Sequence, residues 1–388
     1  MIPRTLANEI TTSMREMPAV TLTGPRQSGK TTLARNLFPG YRYLSMEDPF
    51  TREQFLDDPR SFVSIYNDHV IFDEAQRTPN LFSYLQGVID ANNHPGQFVI
   101  TGSQNFLLMR SISQSLAGRV AVRHLLPFAY SELADAGLAP ENLSEWIIKG
   151  GYPRLYETTI RTSNYYRDYV ETYVNRDVRT ELGVRKLADF QHFLTLCAYQ
   201  IGQTPQTMML ADKCGITRAT AQDWLSILES SFILFRIMPY YNNYGKQLVK
   251  SPKVYFYDTG LASSLMGITD IDRLYDSPMK GHLFENAVAC EIIKHFLMRG
   301  ERPGLFYWRD NHGTEIDFLI ERGGVPHYII EVKSSTTYDP HAWATIDKLA
   351  ERMDVDVEHR ILIYGGNESM MTRHGHVITF TDIGHLVN

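Results

Sequence analysis

Gly24-Pro25-Arg26-Gln27-Ser28-Gly29-Lys30-Thr31 is spaced as G-x-x-x-x-G-K-[ST]. That spacing suits a loop whose backbone N–H groups wrap phosphates and whose glycines allow close approach. Lys30 is placed to reach the terminal phosphates of a nucleoside triphosphate and Thr31 to give a hydroxyl ligand to Mg²⁺, with Thr32 completing the run. The second half of such a site is an apolar strand ending in acid, and Val70-Ile71-Phe72-Asp73-Glu74 supplies it. Asp73 is the residue to hold Mg²⁺ through water, and Glu74 the one to polarise the attacking water. A third run, Phe98 to Thr101, ends in Gly102-Ser103-Gln104-Asn105, a polar tip that either senses the γ-phosphate or simply turns. The expected ligand is ATP with Mg²⁺, and the expected reaction is its hydrolysis.

A second constellation lies near the other end of the chain. Glu285 belongs to an amphipathic helix expected over 281–299, Asp317 opens the strand Phe318-Leu319-Ile320, and Glu331-Val332-Lys333 closes the strand Tyr328-Ile329-Ile330. Residues i and i+2 of a strand share a face, so Glu331 and Lys333 point the same way and can converge with Asp317. Carboxylates in such a group (Glu285, Asp317, Glu331) make a hard-oxygen site for Mg²⁺ or Mn²⁺, with Lys333 to orient water and steady a phosphate. The arrangement resembles the PD-(D/E)xK nuclease superfamily, with Ile316 where that name has proline. An intact but inactive fold that only binds nucleic acid or a partner is the alternative.

These groups need elements to hold them. From about residue 18 to 135, short apolar strands at 19–22, 41–44, 69–72 and 98–101 alternate with helical stretches, which describes a parallel sheet covered by helices. Helical text follows, with candidates over 142–149 and 163–179. Next come a helix over 205–213, a turn at Gly215-Ile216 and a helix from Thr217 to Leu228 with Trp224, Leu225 and Leu228 inward. A hairpin of 232–235 and 254–257 completes this set. Helix, turn, helix and hairpin read as a winged helix whose Arg218, Gln222, Lys246, Lys250 and Lys253 could face DNA, or as a packing module. The expected organisation is α/β: a P-loop core over 1–135, a helical lid over 136–200, the winged helix over 201–255 and a nuclease-like α/β domain over 256–388.

Several segments resemble a widespread group of bacterial and archaeal AAA-type ATPases whose core precedes a domain of unknown function. These are GPRQSGKTTL, HVIFDEAQ, VITGSQN, Ser115 to Arg119, GGYP at 150–153, KSPKVYFYDTGLA at 250–262 and GHLFEN at 281–286. The resemblance implies that Ser103 is the sensor position and makes Arg119 a candidate for phosphate contact. Delivered across a subunit boundary, Arg119 would require a homo-oligomer; the other reading of Arg119 is a surface ion pair.

The bulk properties set limits. At 388 residues, 43% hydrophobic and 21% charged, the chain has room for two or three cores. No stretch is apolar enough to span a bilayer, and the first residues do not read as a secretion signal, so a cytoplasmic address and no membrane partner are expected. The three cysteines, Cys197, Cys214 and Cys290, lack metal-site spacing. A net charge of −6 argues against coating nucleic acid by bulk attraction, leaving local contact with DNA as the expectation.

Overall fold

Period-two alternation builds the first sheet. β1 (Ala19–Thr23), β2 (Arg42–Ser45), β3 (Val70–Asp73), β4 (Phe98–Gly102) and β5 (Val120–His124) are all parallel, in the order β2-β3-β4-β1-β5. Phe72, Phe98 and Ile100 pack on one face with Leu81, Phe82 and Leu85. Their neighbours Ile71, Val99, Val20 and Leu22 pack on the other with Leu6, Ile10 and Leu33. The three central strands, β1, β3 and β4, are therefore buried on both sides, as a sheet with helices on both faces requires, while the edge strands β2 and β5 are only partly covered.

This computed structural model describes residues 2–103, 105–174, 187–240, 251–310 and 313–387. Gln104, Lys246, Lys250 and the end of the helical stretch expected over 163–179 lie outside the described residues. The chain gathers into two compact units. The first is Met1–Phe128 with Ser230–Phe232 and Leu297–Glu301. The second is Ala129–Glu229 with Ile233–Phe296 and Arg302–Asn388.

The second unit is built on an eight-stranded mixed sheet in the order β12-β13-β11-β10-β9-β8-β6-β7. Its strands are β6 (Leu234–Pro239), β7 (Lys253–Phe256), β8 (Leu305–Arg309), β9 (Glu315–Arg322), β10 (Val325–Lys333), β11 (Arg360–Tyr364), β12 (Met370–Thr372) and β13 (Gly375–Thr379). The β6–β7 hairpin pairs onward from β6 to β8, at Met238 with Phe306 and Pro239 with Tyr307, so it is one edge of this sheet. The amphipathic helix Trp343–Met353 buries Trp343, Ile346 and Leu349 against Ile329, Leu362 and Val377. The helix Arg218–Ser230 buries Trp224, Leu225 and Leu228, the inner face its spacing predicts, and Thr217 Oγ1 accepts from the Thr220 N–H at its start.

A buried carboxylate ties the middle of the chain together. Asp258 accepts from the N–H of Gly151 at 2.7 Å, the N–H of Leu261 at 2.9 Å and the Tyr166 hydroxyl at 2.6 Å. Gly150 has φ +68°, and a Cβ there would lie 2.3 Å from Asp258 Oδ1. The GGYP and YDTGLA segments are thus two sides of one hydrogen-bonded joint. Asn286, from GHLFEN, covers the outer edge of β7 at Phe256: its amide accepts from Phe256 N at 2.7 Å and donates to Phe256 O at 3.0 Å.

Candidate functional site

The sheet order of the first unit brings the two halves of the triphosphate motif together. β4 lies between β1 and β3, with Leu22 beside Thr101 and Phe72 beside Ile100. The carboxyl ends of three adjacent parallel strands therefore present the loop of 24–31, Thr101 and Asp73 side by side. Thr31 Oγ1 donates to Asp73 at 2.9 Å, Tyr43 Oη donates to the same carboxylate at 2.7 Å, and Thr101 Oγ1 completes the shell. Burial, then the bond to Asp73, pushes the Tyr43 phenol up to about 12. Asp73 so gathers three hydroxyl donors in a largely closed position, an arrangement suited to holding Mg²⁺ with Thr31.

The loop itself fits an anion. Gly24 has φ +152°, and a Cβ on it would sit 2.1 Å from Leu125 O. Gly29 has φ +95° at the start of the helix Lys30–Leu37, and nothing stands within 4 Å of a Cβ there. Ser28 Oγ is buried without a hydrogen-bond partner, a donor suited to a phosphate oxygen. The buried Lys30 donates to Gly24 O at 3.0 Å and Pro25 O at 2.7 Å, so its ammonium already lies over the loop.

The carboxylates of the second unit are also brought together, but not as expected. Lys253 Nζ stands 2.5 Å from Glu315, 3.1 Å from Glu285 and 3.9 Å from Asp317, and its side chain is only 2% exposed. Tyr255, on the same face of β7, donates to Glu285 at 2.6 Å. Asp317 accepts from Val332 N at 2.9 Å, and Lys333 pairs with Glu331 at 2.6 Å. Burial raises Glu285; burial followed by the charge of Glu285 pushes Asp317 up to about 7; burial followed by Asp317 does the same to Glu331. Lys253 is raised because Glu285, Asp317 and Glu315 together outweigh its desolvation.

Two expectations are corrected here. Among the described residues no group of three His, Cys, Asp or Glu side chains is arranged to hold a metal ion. The set Glu285, Asp317 and Glu331 does not fit one, because an ammonium lies among the carboxylates. Lys253, expected to help face DNA, is instead buried in that cluster.

Comparison with known proteins agrees with the first site. Residues 16–134 match an AAA domain, residues 140–272 a domain of unknown function (DUF8612) and residues 280–383 another (DUF4143). The uncharacterised protein Rv2008c of Mycobacterium tuberculosis is 32% identical over 338 residues, spanning 86% of this chain and 74% of its own. Uncharacterised protein Mb2031c of Mycobacterium bovis gives the same figures. The chain belongs to their family of AAA-type ATPases. A more distant relative, uncharacterised protein MJ1544 of Methanocaldococcus jannaschii, is 24% identical over 331 residues, 76% of this chain and 70% of its own. AMPPCP-bound DnaA from Aquifex aeolicus overlaps 58% of this chain and 85% of its own at 14% identity and a TM-score of 0.32, too loose an overlap to inform function.

In this AAA-type ATPase, Ser103 donates to Glu74 at 2.9 Å, and Gln76 does so at 2.5 Å. Glu74 itself sits at φ +52°, directly after β3. Arg119 is bound to Asp90 through two bonds, 2.5 and 3.0 Å, with both side chains substantially exposed. Sequence reasoning missed Tyr43, Thr101 and Gln76 at the nucleotide site and Glu315 and Tyr255 in the carboxylate cluster. For Tyr255 a signal existed: Lys253 and Tyr255 are i and i+2 of one strand and so share a face.

Proposed function

We propose that this chain is an ATP-hydrolysing switch that binds DNA through its second unit, which carries a winged-helix-like segment and a PD-(D/E)xK-like sheet. The nucleotide half rests on one observation: Thr31 Oγ1 donating to Asp73 at 2.9 Å, which joins two motifs 42 residues apart. In the hydrolytic step Lys30 holds the terminal phosphates, Glu74 polarises water, and Ser103 and Gln76 orient Glu74. Thr31 and Asp73 would hold Mg²⁺, which neutralises charge on the phosphate oxygens when bound. The Arg119–Asp90 pair supports the surface-pair reading of Arg119, so assembly through that arginine is not needed for the site.

The DNA half is supported by Arg218 and Gln222 on the exposed face of the helix Arg218–Ser230 and by the half-exposed Lys333 at the end of β10. Purified protein is expected to hydrolyse ATP with Mg²⁺, faster with single-stranded, duplex or branched DNA. Lys30→Ala should lower that rate by about 10²-fold or more, on the scale of losing one strong transition-state donor. Clean preparations that retain no DNA in a shift assay, with or without nucleotide, would sink the DNA half and leave the ATPase half standing.

A further inference from the structure

We infer that Lys253 takes the place of a metal ion in the second unit, leaving its nuclease-like carboxylate cluster without a divalent-cation site. Divalent cations of the Mg²⁺ and Mn²⁺ class need oxygen ligands at about 2.0–2.6 Å on several sides. Lys253 Nζ presents its own charge to those oxygens, at 2.5 Å from Glu315, 3.1 Å from Glu285 and 3.9 Å from Asp317. A divalent ion and an ammonium among the same carboxylates would repel one another at short range and in low dielectric. The ammonium cannot swing away freely, because its side chain is 2% exposed and rises from a strand bonded to β6.

The cluster is fixed from other directions as well. Glu285 Oε1 takes the Tyr255 hydroxyl at 2.6 Å in addition to Lys253. Its Oε2 faces Gly202, where a Cβ would lie 2.9 Å away. Glu285 is thereby penned between a lysine, a tyrosine and a glycine that sits at φ +70°. Asp317 has one oxygen committed to the Val332 N–H, and Glu331 has one committed to Lys333. Opposite charges meet here as in a buried ion network, in which removing the cation exposes the carboxylates to one another. A metal-dependent phosphodiester cut is therefore not expected from this cluster. The inference concerns the cation alone and stands whether or not the DNA reading does.

Mn²⁺ binding to nucleotide-free, full-length protein tests it, read by electron paramagnetic resonance up to about 1 mM, the weak end of protein divalent sites. The wild type and Asp317→Asn are expected to bind the same amount of Mn²⁺. Lys253→Met is expected to bind one additional ion per chain, lost again in the Lys253→Met, Asp317→Asn double variant. One Mn²⁺ more in the wild type than in Asp317→Asn overturns the inference, as does a folded Lys253→Met that gains none. If circular dichroism shows Lys253→Met unfolded, the wild-type comparison with Asp317→Asn still decides.

Discussion

Asp73 illustrates how much work one carboxylate does in the first unit. It accepts from Thr31, Tyr43 and Thr101, three hydroxyls on three different segments. Asparagine in its place keeps the shape but turns an NH₂ toward at least one of those donors and removes the charge that Mg²⁺ requires. Asp73→Asn is therefore expected to bind nucleotide in the absence of Mg²⁺ about as well as the wild type while losing about 10²-fold in hydrolysis rate. Calorimetric nucleotide titration beside a phosphate-release assay separates the two effects, and unchanged hydrolysis would remove Asp73 from the site. Lys30, Thr31 and Asp73 were legible in the sequence because a motif with fixed spacing carries its own geometry. Thr101 and Tyr43 were not, since only the order β2-β3-β4-β1 places them beside Asp73.

At the level of elements, local pattern located most of what it could see. The strands expected at 19–22 and 98–101 are β1 and β4, each one residue longer, and the helix expected over 281–299 runs from Lys280 to Met298. The strand expected from His69 begins at Val70 because His69 is at φ +54°. β6 begins two residues later than expected because Phe232 is at φ +56°, a conformation that no side-chain pattern announces. The helix Leu6–Glu16 and strand β5 were not foreseen, nor was pairing of β6 with β8 across some seventy residues of chain. Non-local pairing leaves no periodic trace. The same holds for the Asp258 joint, whose segments were noticed only as resemblance. Asp258→Asn puts an NH₂ against the Gly151 N–H or the Leu261 N–H, two donors that need an acceptor, and should cost about 2–3 kcal/mol. Gly150→Ala should cost at least as much, since it adds a Cβ 2.3 Å from Asp258 Oδ1 at a positive φ. Urea unfolding would check both, and a loss under about 0.5 kcal/mol, the range of ordinary surface changes, would show the joint to be dispensable.

Over the whole molecule, charge is sorted by depth. A net charge of −6 keeps the surface acidic, yet the second unit also holds Glu285, Asp317 and Glu331 away from water beside Lys253. Asp317 and Glu331, at about 7, retain protons in the native state that an unfolded chain, with carboxyls near about 4, has already released. Their stabilising contribution is complete below the unfolded value and is lost as pH rises through about 7. His282 and His327, both lowered chiefly by burial, act in the opposite sense, since each must give up a proton to fold at acid pH. A simple melting curve against pH would mix the two. The double variant Asp317→Asn, Glu331→Gln keeps both histidines and cannot titrate at the cluster, so its melting temperature minus that of the wild type isolates the carboxylates. That difference is expected to rise by several degrees from pH 5 to about pH 7 and to level off by pH 8, at about 2–4 °C per kcal/mol for a domain of this size. A difference that stays flat across that range would mean the two acids are ionised throughout, with Lys253 and Lys333 holding both charges in place.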